Sequence, residues 1–230
     1  MSRLSIIVPA LDEAAGIAAC LAPLQPMRAR GTQVIVVDGG SADGTATLAL
    51  PLADRVIAAP RGRAAQMNAG AAAAAGDTLL FLHADTRLPG EADRLVLEGL
   101  AARGRDWGRF DVSIEGGPAM LRVVAAFMNA RSRLTGIATG DQAIFARAAA
   151  FARAGGFPAI ALMEDIAFSK AMKRLGPPLC LREKAVTSGR RWERHGTLRT
   201  ILLMWRLRLD FFLGADPVRL AERYGNGRPP

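Results

Sequence analysis

Three short apolar segments in the first half of the chain are each followed by an aspartate, and this arrangement restricts the possible folds most strongly. The clearest segment, Leu79-Leu80-Phe81-Leu82, follows the turn formers Gly76-Asp77-Thr78 and precedes Asp85. A short apolar run of this kind is typical of a strand that is buried on both faces, as in a parallel sheet. Because open α/β sheets bind ligands at the carboxyl ends of their strands, Asp85 is a candidate for contacting a substrate or a metal. Asp85 could equally cap a helix near Pro89, so this segment alone leaves both interpretations open.

The same alternation of strand and helix runs through the whole first half. Its predicted strands are residues 4–8, 34–37, 55–58 and 79–82. Helical segments separate these strands, and the first helix is expected to begin at Asp12-Glu13 and to end at Pro23 and Pro26. This rhythm predicts a parallel sheet with crossover helices.

The second half of the chain departs from this rhythm and adds a helix near its end. Residues 107–115 alternate between apolar and polar, which predicts a strand with one exposed face. Further strands are expected at 142–146 and 179–186, and helices at 91–103, 119–134, 164–175 and 198–213. No linker rich in proline, glycine or serine divides the chain. We therefore predict a main domain at 1–195, a helical extension at 196–224 and a loose tail at 225–230.

Composition narrows the class of protein and its location. With 50% hydrophobic residues in a chain of 230, a large core can be buried. The two cysteines, Cys20 and Cys180, form no disulfide framework and favour a reducing compartment. The sequence starts without a secretory signal, and no apolar run reaches the roughly 20 residues that span a bilayer. A cytoplasmic protein is therefore expected.

The net charge of +9 suits an anionic ligand, an anionic membrane surface or nucleic acid. Nucleic acid is disfavoured, because aromatic residues make up only 6% of the chain and do not alternate with basic residues on a strand. Dinucleotide and P-loop sites are also disfavoured, since neither glycine-rich fingerprint occurs at the required place. Asp12, Asp38 and Asp85 should instead meet at one edge of the sheet. Gly39-Gly40 lies beside them and would let a ligand approach the backbone closely. Three acids at one edge indicate a polar or cationic ligand.

Several ordered segments resemble glycosyltransferase family 2. They are residues 5–13, 36–45, 81–86, 140–142, 155–158, 163–165 and 188–192. The resemblance implies an α/β fold of GT-A type (Rossmann-like), with a mixed, mainly parallel sheet flanked by helices and a helical C-terminal extension. It also implies a nucleotide-binding half at 1–88 and an acceptor and catalytic half at 89–195. The residues of these segments are most similar to those of a bacterial subgroup known from arsenosugar-biosynthesis and radical-SAM-associated gene neighbourhoods.

The resemblance also implies which residues bind the donor, a UDP- or GDP-sugar. These residues are Pro9, Ala10, Asp12, Glu13, Asp38, Gly39, Arg61, Arg63, Asn68, Ala84 and Asp85. Asp38 is expected to hydrogen-bond the base or the ribose, and the alternative is a turn former beside Gly39. The family usually has a second aspartate at the position of Gly39, so the identity of the base stays open. Arg61 and Arg63 are expected near the diphosphate, and the alternative is a solvated basic turn.

A divalent metal, Mn²⁺ or Mg²⁺, is assigned to Asp85 by the resemblance. Asp85 corresponds to the last aspartate of the family's D-x-D element, whereas His83 stands in the place of the first. Both metals prefer oxygen ligands, and the donor's phosphates would supply most of them. His83 is expected to be structural rather than a ligand. His195 is a further candidate ligand, with a surface histidine as the alternative.

The resemblance makes Asp165 the catalytic base, with Glu164 beside it at the start of a helix. A carboxylate near the attacking hydroxyl can accept its proton, and a single displacement would invert the anomeric centre. Acidity at a helix N-terminus alone would also explain both residues. The acceptor and the diphosphate are expected to contact Asp141, Gln142, Arg190, Arg191 and Trp192. Ser188, in place of the family's usual glutamine, disfavours a processive polysaccharide synthase.

The predicted function is therefore the metal-dependent, inverting transfer of a sugar to a small-molecule or lipid acceptor. One rival is a nucleotidyltransferase on a related fold, which would need a basic signature loop where this chain has Asp12-Glu13. The other rival is a non-catalytic nucleotide-binding module. The helix at 198–213 mixes Trp, Phe and Arg, and one hypothesis for it is a peripheral membrane contact. Packing against the sheet and contact in a homodimer are the alternatives for this helix.

Overall fold

The computed structural model describes residues 3–225 of the chain. The strands are β1 (Leu4–Ala10), β2 (Gln33–Asp38), β3 (Arg55–Ala58), β4 (Thr78–Phe81), β5 (Thr86–Arg87), β6 (Trp107–Glu115), β7 (Phe145–Arg147) and β8 (Leu179–Ser188). The helices are α1 (Ile17–Leu21), α2 (Gln25–Ala29), α3 (Thr45–Ala49), α4 (Arg63–Ala73), α5 (Ala92–Arg103), α6 (Met120–Thr135), α7 (Ala148–Arg153), α8 (Glu164–Leu175), α9 (Arg190–His195), α10 (Thr197–Phe212) and α11 (Pro217–Gly225). Turns of 3₁₀ helix lie at Ala22–Leu24, Leu50–Leu52 and Gly140–Gln142. The side chains of Arg191, Arg194 and His195 lie outside this description, as does the predicted tail beyond Gly225.

The eight strands form one sheet in the order β3-β2-β1-β4-β7-β6-β8-β5. Neighbours among β3, β2, β1 and β4 are parallel, as are β6 and β8. Strand β7 is antiparallel to both β4 and β6, and β5 is antiparallel to β8. The predicted mixed, mainly parallel sheet flanked by helices is confirmed, and both predicted halves of the main domain contribute strands to it.

Apolar layers on both faces of the sheet explain why its central strands are continuous apolar runs. Ile6 and Val8 of β1 face the layer that contains α1 and α5, whereas Ile7 faces α4, α7 and α8 on the opposite side. Helix α4 approaches β1 closely at Gly70, where a Cβ atom would lie 2.3 Å from Ile7 Cγ2. Strands β1, β2 and β4 are thus buried on both faces, and only their ends are available to a ligand.

The first helical region differs from the prediction in its start and in the role of its prolines. Helix α1 begins at Ile17 rather than at Asp12-Glu13, because Asp12 has a left-handed backbone conformation with φ of 52°. Pro23 and Pro26 do not end the helical region. They occupy the first turns of the 3₁₀ segment and of α2, where the missing N–H group is not needed.

The second half matches the sequence prediction in most elements and departs from it at two strands. The strand expected at 142–146 is replaced by a 3₁₀ turn followed by β7. Strand β6 has the predicted bounds, yet its first half is buried on both faces, because it lies between β7 and β8. Arg109 is consequently buried, with an ion pair to Asp111 and a hydrogen bond to Ser132 Oγ.

The C-terminal helices pack against the main domain. Leu207 of α10 and Leu220 of α11 are buried with Met163 and Ile166, which flank the start of α8. The predicted helical extension is therefore present, and one face of it covers the end of α8 that carries the predicted catalytic residues.

Candidate active site

The loops that follow β1 and β2 are hydrogen-bonded to each other. The backbone N–H of Asp12 donates to Ser41 Oγ, and the carboxylate of Asp12 accepts the N–H of Ala42 at 3.0 Å. The N–H of Ala14 donates to Asp43 Oδ2 at 2.9 Å. Asp12 therefore lies at the predicted sheet edge, and its carboxylate holds the neighbouring loop in place.

Asp38 is buried at the end of β2 and organises the turn that follows. Its Oδ2 accepts the N–H groups of Gly40 and Ser41 at 3.0 Å each, and its Oδ1 accepts the Ser41 hydroxyl. These bonds correspond to the turn-forming alternative considered for Asp38. A nucleoside that uses this carboxylate would have to share it with the turn.

Gln66 of α4 joins the ends of the first two strands. Its Nε2 donates to the carbonyl oxygens of Ala10 and Val37, both at 2.8 Å. A Cβ atom on Gly39 would lie 3.0 Å from this Nε2, so the amide needs the space that glycine leaves. Pro9, like Ala10, is buried within β1.

The basic turn before α4 is exposed, but one of its arginines reaches towards the start of α8. Arg61 is exposed, and Arg63 Nη1 lies 3.9 Å from Glu164 Oε1. Asn68, which is predicted to bind the nucleotide, makes two hydrogen bonds with the backbone of Phe157. Its amide donates to the Phe157 carbonyl at 2.8 Å and accepts the Phe157 N–H at 2.9 Å.

Two carboxyl groups converge at the start of α8. Asp165 Oδ2 accepts the N–H of Gly140 at 3.0 Å, and its Oδ1 accepts the N–H of Ile166 at 2.7 Å. Burial raises the pKa of Asp165 despite these hydrogen bonds. Burial and then the charge of Asp165 raise the pKa of Glu164, which Arg63 opposes. A carboxylate with a raised pKa in a fixed orientation is suited to accept a proton.

His83 lies between the end of β4 and these carboxyl groups. A Cβ atom on Gly140 would lie 2.3 Å from both Cε1 and Nε2 of His83, so the ring packs directly against the glycine. Its Nδ1 is 3.4 Å from Asp141 Oδ1. With Glu164 and Asp165, His83 lines a cavity of about 10 Å³, which is room for about one water molecule. The remaining lining residues are Met67, Phe81, Gly140, Ile144 and Phe157.

Asp85 lines a second, larger cleft of about 230 Å³. Its side chain is exposed, and Oδ1 accepts only a long hydrogen bond, 3.4 Å, from the Thr86 hydroxyl. Arg190 lines the same cleft, and its Nη2 lies 3.8 Å from Glu13 Oε2. The cleft is further lined by Arg87, Glu115, Gly116, Val186, Ser188 and Glu193. Ala84, predicted to bind the donor, is buried in the core.

The protein side chains near Asp85 could hold a metal only if other oxygens complete its coordination. Among the side chains that the structure describes, which exclude His195, no three of His, Cys, Asp or Glu are grouped so that they could hold a metal ion. An exposed carboxylate such as Asp85 fits Mg²⁺ or Mn²⁺ when phosphate and water oxygens supply the remaining ligands. The prediction for His195 falls on a side chain that the structure does not describe.

Two of the predicted acceptor residues, Asp141 and Gln142, belong to the 3₁₀ turn whose Gly140 N–H donates to Asp165. Gln142 is buried, and its Oε1 accepts the N–H of Thr139 at 3.2 Å. Trp192 is half-buried against the apolar side of α6, and Asp141 is beside His83. Arg191 contributes its backbone to α9, but its side chain is not described.

Arg131 of α6 has a position that the sequence did not indicate. Among the described residues, its Nε and Nη2 atoms are buried without a hydrogen-bond partner. Burial lowers the pKa of Arg131, and the charge of Asp165 opposes this effect. An arginine on a basic helix carries no signal of such burial in the sequence.

The comparison with protein families found one match. The model described as "Glycosyl transferase family 2" matches residues 5–151, which include the sheet edge and the loops around Asp12, Asp38 and Asp85. A comparison with curated proteins found no match.

Solved structures with a similar fold include several glycosyltransferases. A mannosyltransferase of Pyrobaculum calidifontis, in complex with GDP-Man and Mn²⁺, is 20% identical with a TM-score of 0.65, covering 98% of this chain and 70% of its own. TarS of S. aureus (residues 1–349), in complex with UDP-GlcNAc, is 17% identical with a TM-score of 0.64. The match covers 81% of this chain and 58% of the TarS chain. Glucosyl-3-phosphoglycerate synthase of Mycobacterium tuberculosis, with Mn²⁺ and UDP, is 19% identical with a TM-score of 0.56, covering 81% and 71%. The chain thus spans less than two thirds of TarS residues 1–349, and these likenesses establish the fold.

Proposed function

The chain belongs to glycosyl transferase family 2, and we propose that it transfers a sugar from a nucleotide-sugar donor to an acceptor. One observation carries the proposal. The segment after β4 contributes to two cavities: Asp85 lines a cleft with Arg190, and His83, two residues earlier, lines a cavity with the oriented carboxylate of Asp165. The similar structures in complex with UDP-GlcNAc, with GDP-Man and Mn²⁺, and with UDP and Mn²⁺ support a UDP- or GDP-sugar as donor.

We assign the diphosphate of the donor to the cleft at Asp85. Arg190 would neutralise part of the negative charge that develops on the leaving diphosphate. A divalent metal held by Asp85 and the phosphate oxygens would supply further electrostatic stabilisation of this charge. Mn²⁺ and Mg²⁺ both fit a site with a single protein carboxylate.

The proposed transfer is a single displacement. The acceptor oxygen forms a bond to the anomeric carbon while the bond from this carbon to the diphosphate oxygen breaks. The proton of the acceptor hydroxyl passes to Asp165, and the nucleoside diphosphate leaves with the bonding electrons. Attack from the face opposite the leaving group inverts the anomeric centre. Asp165 suits this role because two backbone N–H groups orient it and burial raises its pKa.

Binding and turnover can be tested with two variants. Nucleoside diphosphates and sugar nucleotides should raise the melting temperature of the protein, more strongly with Mn²⁺, and Asp85→Ala should remove the metal-dependent part. Glu98→Ala, on the exposed face of α5, is the control. Asp165→Asn should still bind the nucleotide-sugar. It should transfer the sugar to an acceptor or to water roughly 10²- to 10⁴-fold more slowly than the wild type. A protein that responds to no nucleotide would contradict the proposed activity, and unchanged turnover in Asp165→Asn would move the base elsewhere.

We further propose that the acceptor is a small molecule or a lipid, and that the chain belongs to the arsenosugar-biosynthesis and radical-SAM-associated subgroup. The division at 1–88, 89–195 and 196–224 and a cytoplasmic location are also proposed. For the 198–213 segment, a homodimer contact is the alternative to a membrane contact.

A further inference from the structure

Helix α6 carries a stripe of apolar side chains that face solvent. The stripe consists of Met120, Val123, Phe127 and Leu134. Intervals of three, four and seven residues place these side chains on one side of a helix. Phe127 is 70% exposed and Leu134 is 87% exposed. Contiguous exposure of large apolar side chains marks an interaction surface more often than it occurs by chance.

Helix α10 carries a second stripe with the same periodicity. Its members are Leu198, Leu202, Trp205, Leu209 and Phe212. They follow each other at intervals of four and three residues, so they share one face of the helix. Trp205 is 66% exposed and Phe212 is 75% exposed, whereas Leu207 on the opposite face is buried. The helix is thus attached to the domain by one face and presents an apolar face to solvent.

Helices α6 and α10 both contact α8, and both contact α9. At the C-terminal ends, Lys173 of α8 donates to the Thr135 carbonyl of α6, while Lys170, one turn earlier in α8, lies 5.5 Å from the Phe212 ring centroid of α10. At the N-terminal ends, Trp192 of α9 packs against the apolar side of α6, and α9 leads directly into α10. Both helices therefore contact α8 near their C-terminal ends and α9 near their N-terminal ends.

The charges around the stripes are positive. Residues 120–135 contain three arginines and no Asp or Glu, and residues 197–212 contain three arginines and a single acid, Asp210. Asp210 is paired with Arg223. Arg122 of α6 and Arg199 and Arg206 of α10 are exposed. Their guanidinium groups are therefore accessible to phosphate groups.

We propose that the stripes of α6 and α10, with their arginines, form a docking surface for an anionic lipid bilayer. Apolar side chains would enter the interface while the arginines contact lipid phosphates, as in helices that lie along a membrane. Within the described chain no helix has both the length and the hydropathy to cross a bilayer. A second copy of the chain fits less well, because the same surface would bring arginines against arginines, and such contacts are unfavourable.

Docking by this surface would bring the proposed active site to the membrane. Helix α10 packs through Leu207 against Met163 and Ile166, on either side of Glu164 and Asp165. An acceptor presented at the lipid surface would then be within reach of the site. This consequence rests on the proposed function, whereas the docking does not.

The test is co-sedimentation of the full chain with vesicles. We expect the protein to sediment with an equal mixture of phosphatidylcholine and phosphatidylglycerol but not with phosphatidylcholine alone, and salt should weaken the binding. Trp205→Ser, Phe212→Ser and Phe127→Ser should each lower the partition coefficient about tenfold. The control is Leu50→Ser, since Leu50 is 61% exposed on the other part of the fold near α3 and should not affect binding.

Charge variants give an independent test of the same surface. Arg206→Gln should lower binding to the anionic vesicles about fivefold, whereas Arg103→Gln, at the exposed end of α5, should leave it unchanged. Wild-type protein that stays in the supernatant with both vesicle types would overturn the proposal. Equal losses in Trp205→Ser and Leu50→Ser would do the same, as would a concentration-dependent dimer that the α10 substitutions dissociate without any vesicle binding. Asp85→Ala should bind vesicles like the wild type, so failure of docking and failure of donor binding can be told apart.

Discussion

Glu164 and Asp165 are adjacent in sequence, yet their surroundings differ at the scale of single atoms. Asp165 accepts two backbone N–H groups, which fix the direction of its oxygens. Glu164 is equally part of the buried helix start, but its nearest cation, on Arg63, is 3.9 Å away, too far for a direct hydrogen bond. Burial raises the pKa of both carboxyl groups. Asp165 is thus held for proton transfer, while the charge of Glu164 is poorly compensated.

Replacing Glu164 should therefore stabilise the fold in a pH-dependent way. The folded state holds the Glu164 proton more strongly than the unfolded chain does, so wild-type stability falls as the pH rises from the ordinary pKa of 4.5 through the raised folded pKa. Glu164→Gln removes this loss. We expect its melting temperature to exceed that of the wild type above this pH window and to equal it below pH 4.5. The control is Glu98→Gln at an exposed position, whose melting temperature should match that of the wild type. A variant that is less stable than the wild type at alkaline pH would show that the pair with Arg63 dominates.

Some residue roles could be predicted from the sequence and others could not. Asp165 was predicted at a helix start, because acid clusters before a helical apolar stripe are local signals. Gln66 and Asn68 gave no such signal, since their partners are backbone groups far away in the sequence. The hydrogen bonds of these two side-chain amides form only in the tertiary fold. The assignment of Asn68 to the nucleotide rests on the match to the family motif alone.

At the scale of elements, Asn68 links α4 to the turn before α8. Its side chain makes hydrogen bonds in both directions with the Phe157 backbone. Asn68→Ala should destabilise the protein by about 2–3 kcal/mol, because it leaves a backbone donor and acceptor unpaired. Asn68→Asp can still accept the Phe157 N–H, but it places a carboxylate oxygen that cannot donate against the Phe157 carbonyl, so it should recover little of this loss. Denaturation with urea measures both effects, and the affinity for nucleoside diphosphates should change little.

The opposite pattern would restore the sequence-based assignment of Asn68. If Asn68→Ala keeps its stability but loses nucleotide affinity, the hydrogen bonds with Phe157 are unimportant and the residue binds the donor. Gln25→Ala serves as a matched control away from the cleft, because Gln25 also donates to two backbone carbonyl groups. Its loss should affect stability alone.

Elements with a strong local period were predicted most closely. Strands β3 and β6 and helix α8 have the predicted bounds, because alternation and helical spacing lie within each segment. The first helix began later than predicted, since hydrogen bonds between the loops at Asp12 and Ser41 hold residues near its expected start in a non-helical conformation. Strand β5 consists of two residues paired with β8, and pairing over such a distance leaves no pattern in the sequence.

At the scale of the whole molecule, the sheet order brings the two halves of the chain to one site. Strand β7 pairs with β4 on one side and β6 on the other, so it joins the parallel first half to the second. The turn before β7 then places Gly140 against His83 and under Asp165. The site is thus a product of both halves, and its acids become neighbours only when the sheet is complete.

The C-terminal helices should belong to the same cooperative unit as this sheet. Leu207 is buried with Met163 and Ile166 at the start of α8, so removing its side chain leaves a cavity beside the proposed catalytic residues. Leu207→Ala should lower the free energy of unfolding by about 2–5 kcal/mol. The exposed Leu209→Ala on the same helix should change it by less than about 0.5 kcal/mol. We expect a single unfolding transition, by calorimetry, that moves as a whole in Leu207→Ala. Two separate transitions, with only the smaller one shifted, would show that the helical extension folds independently of the domain.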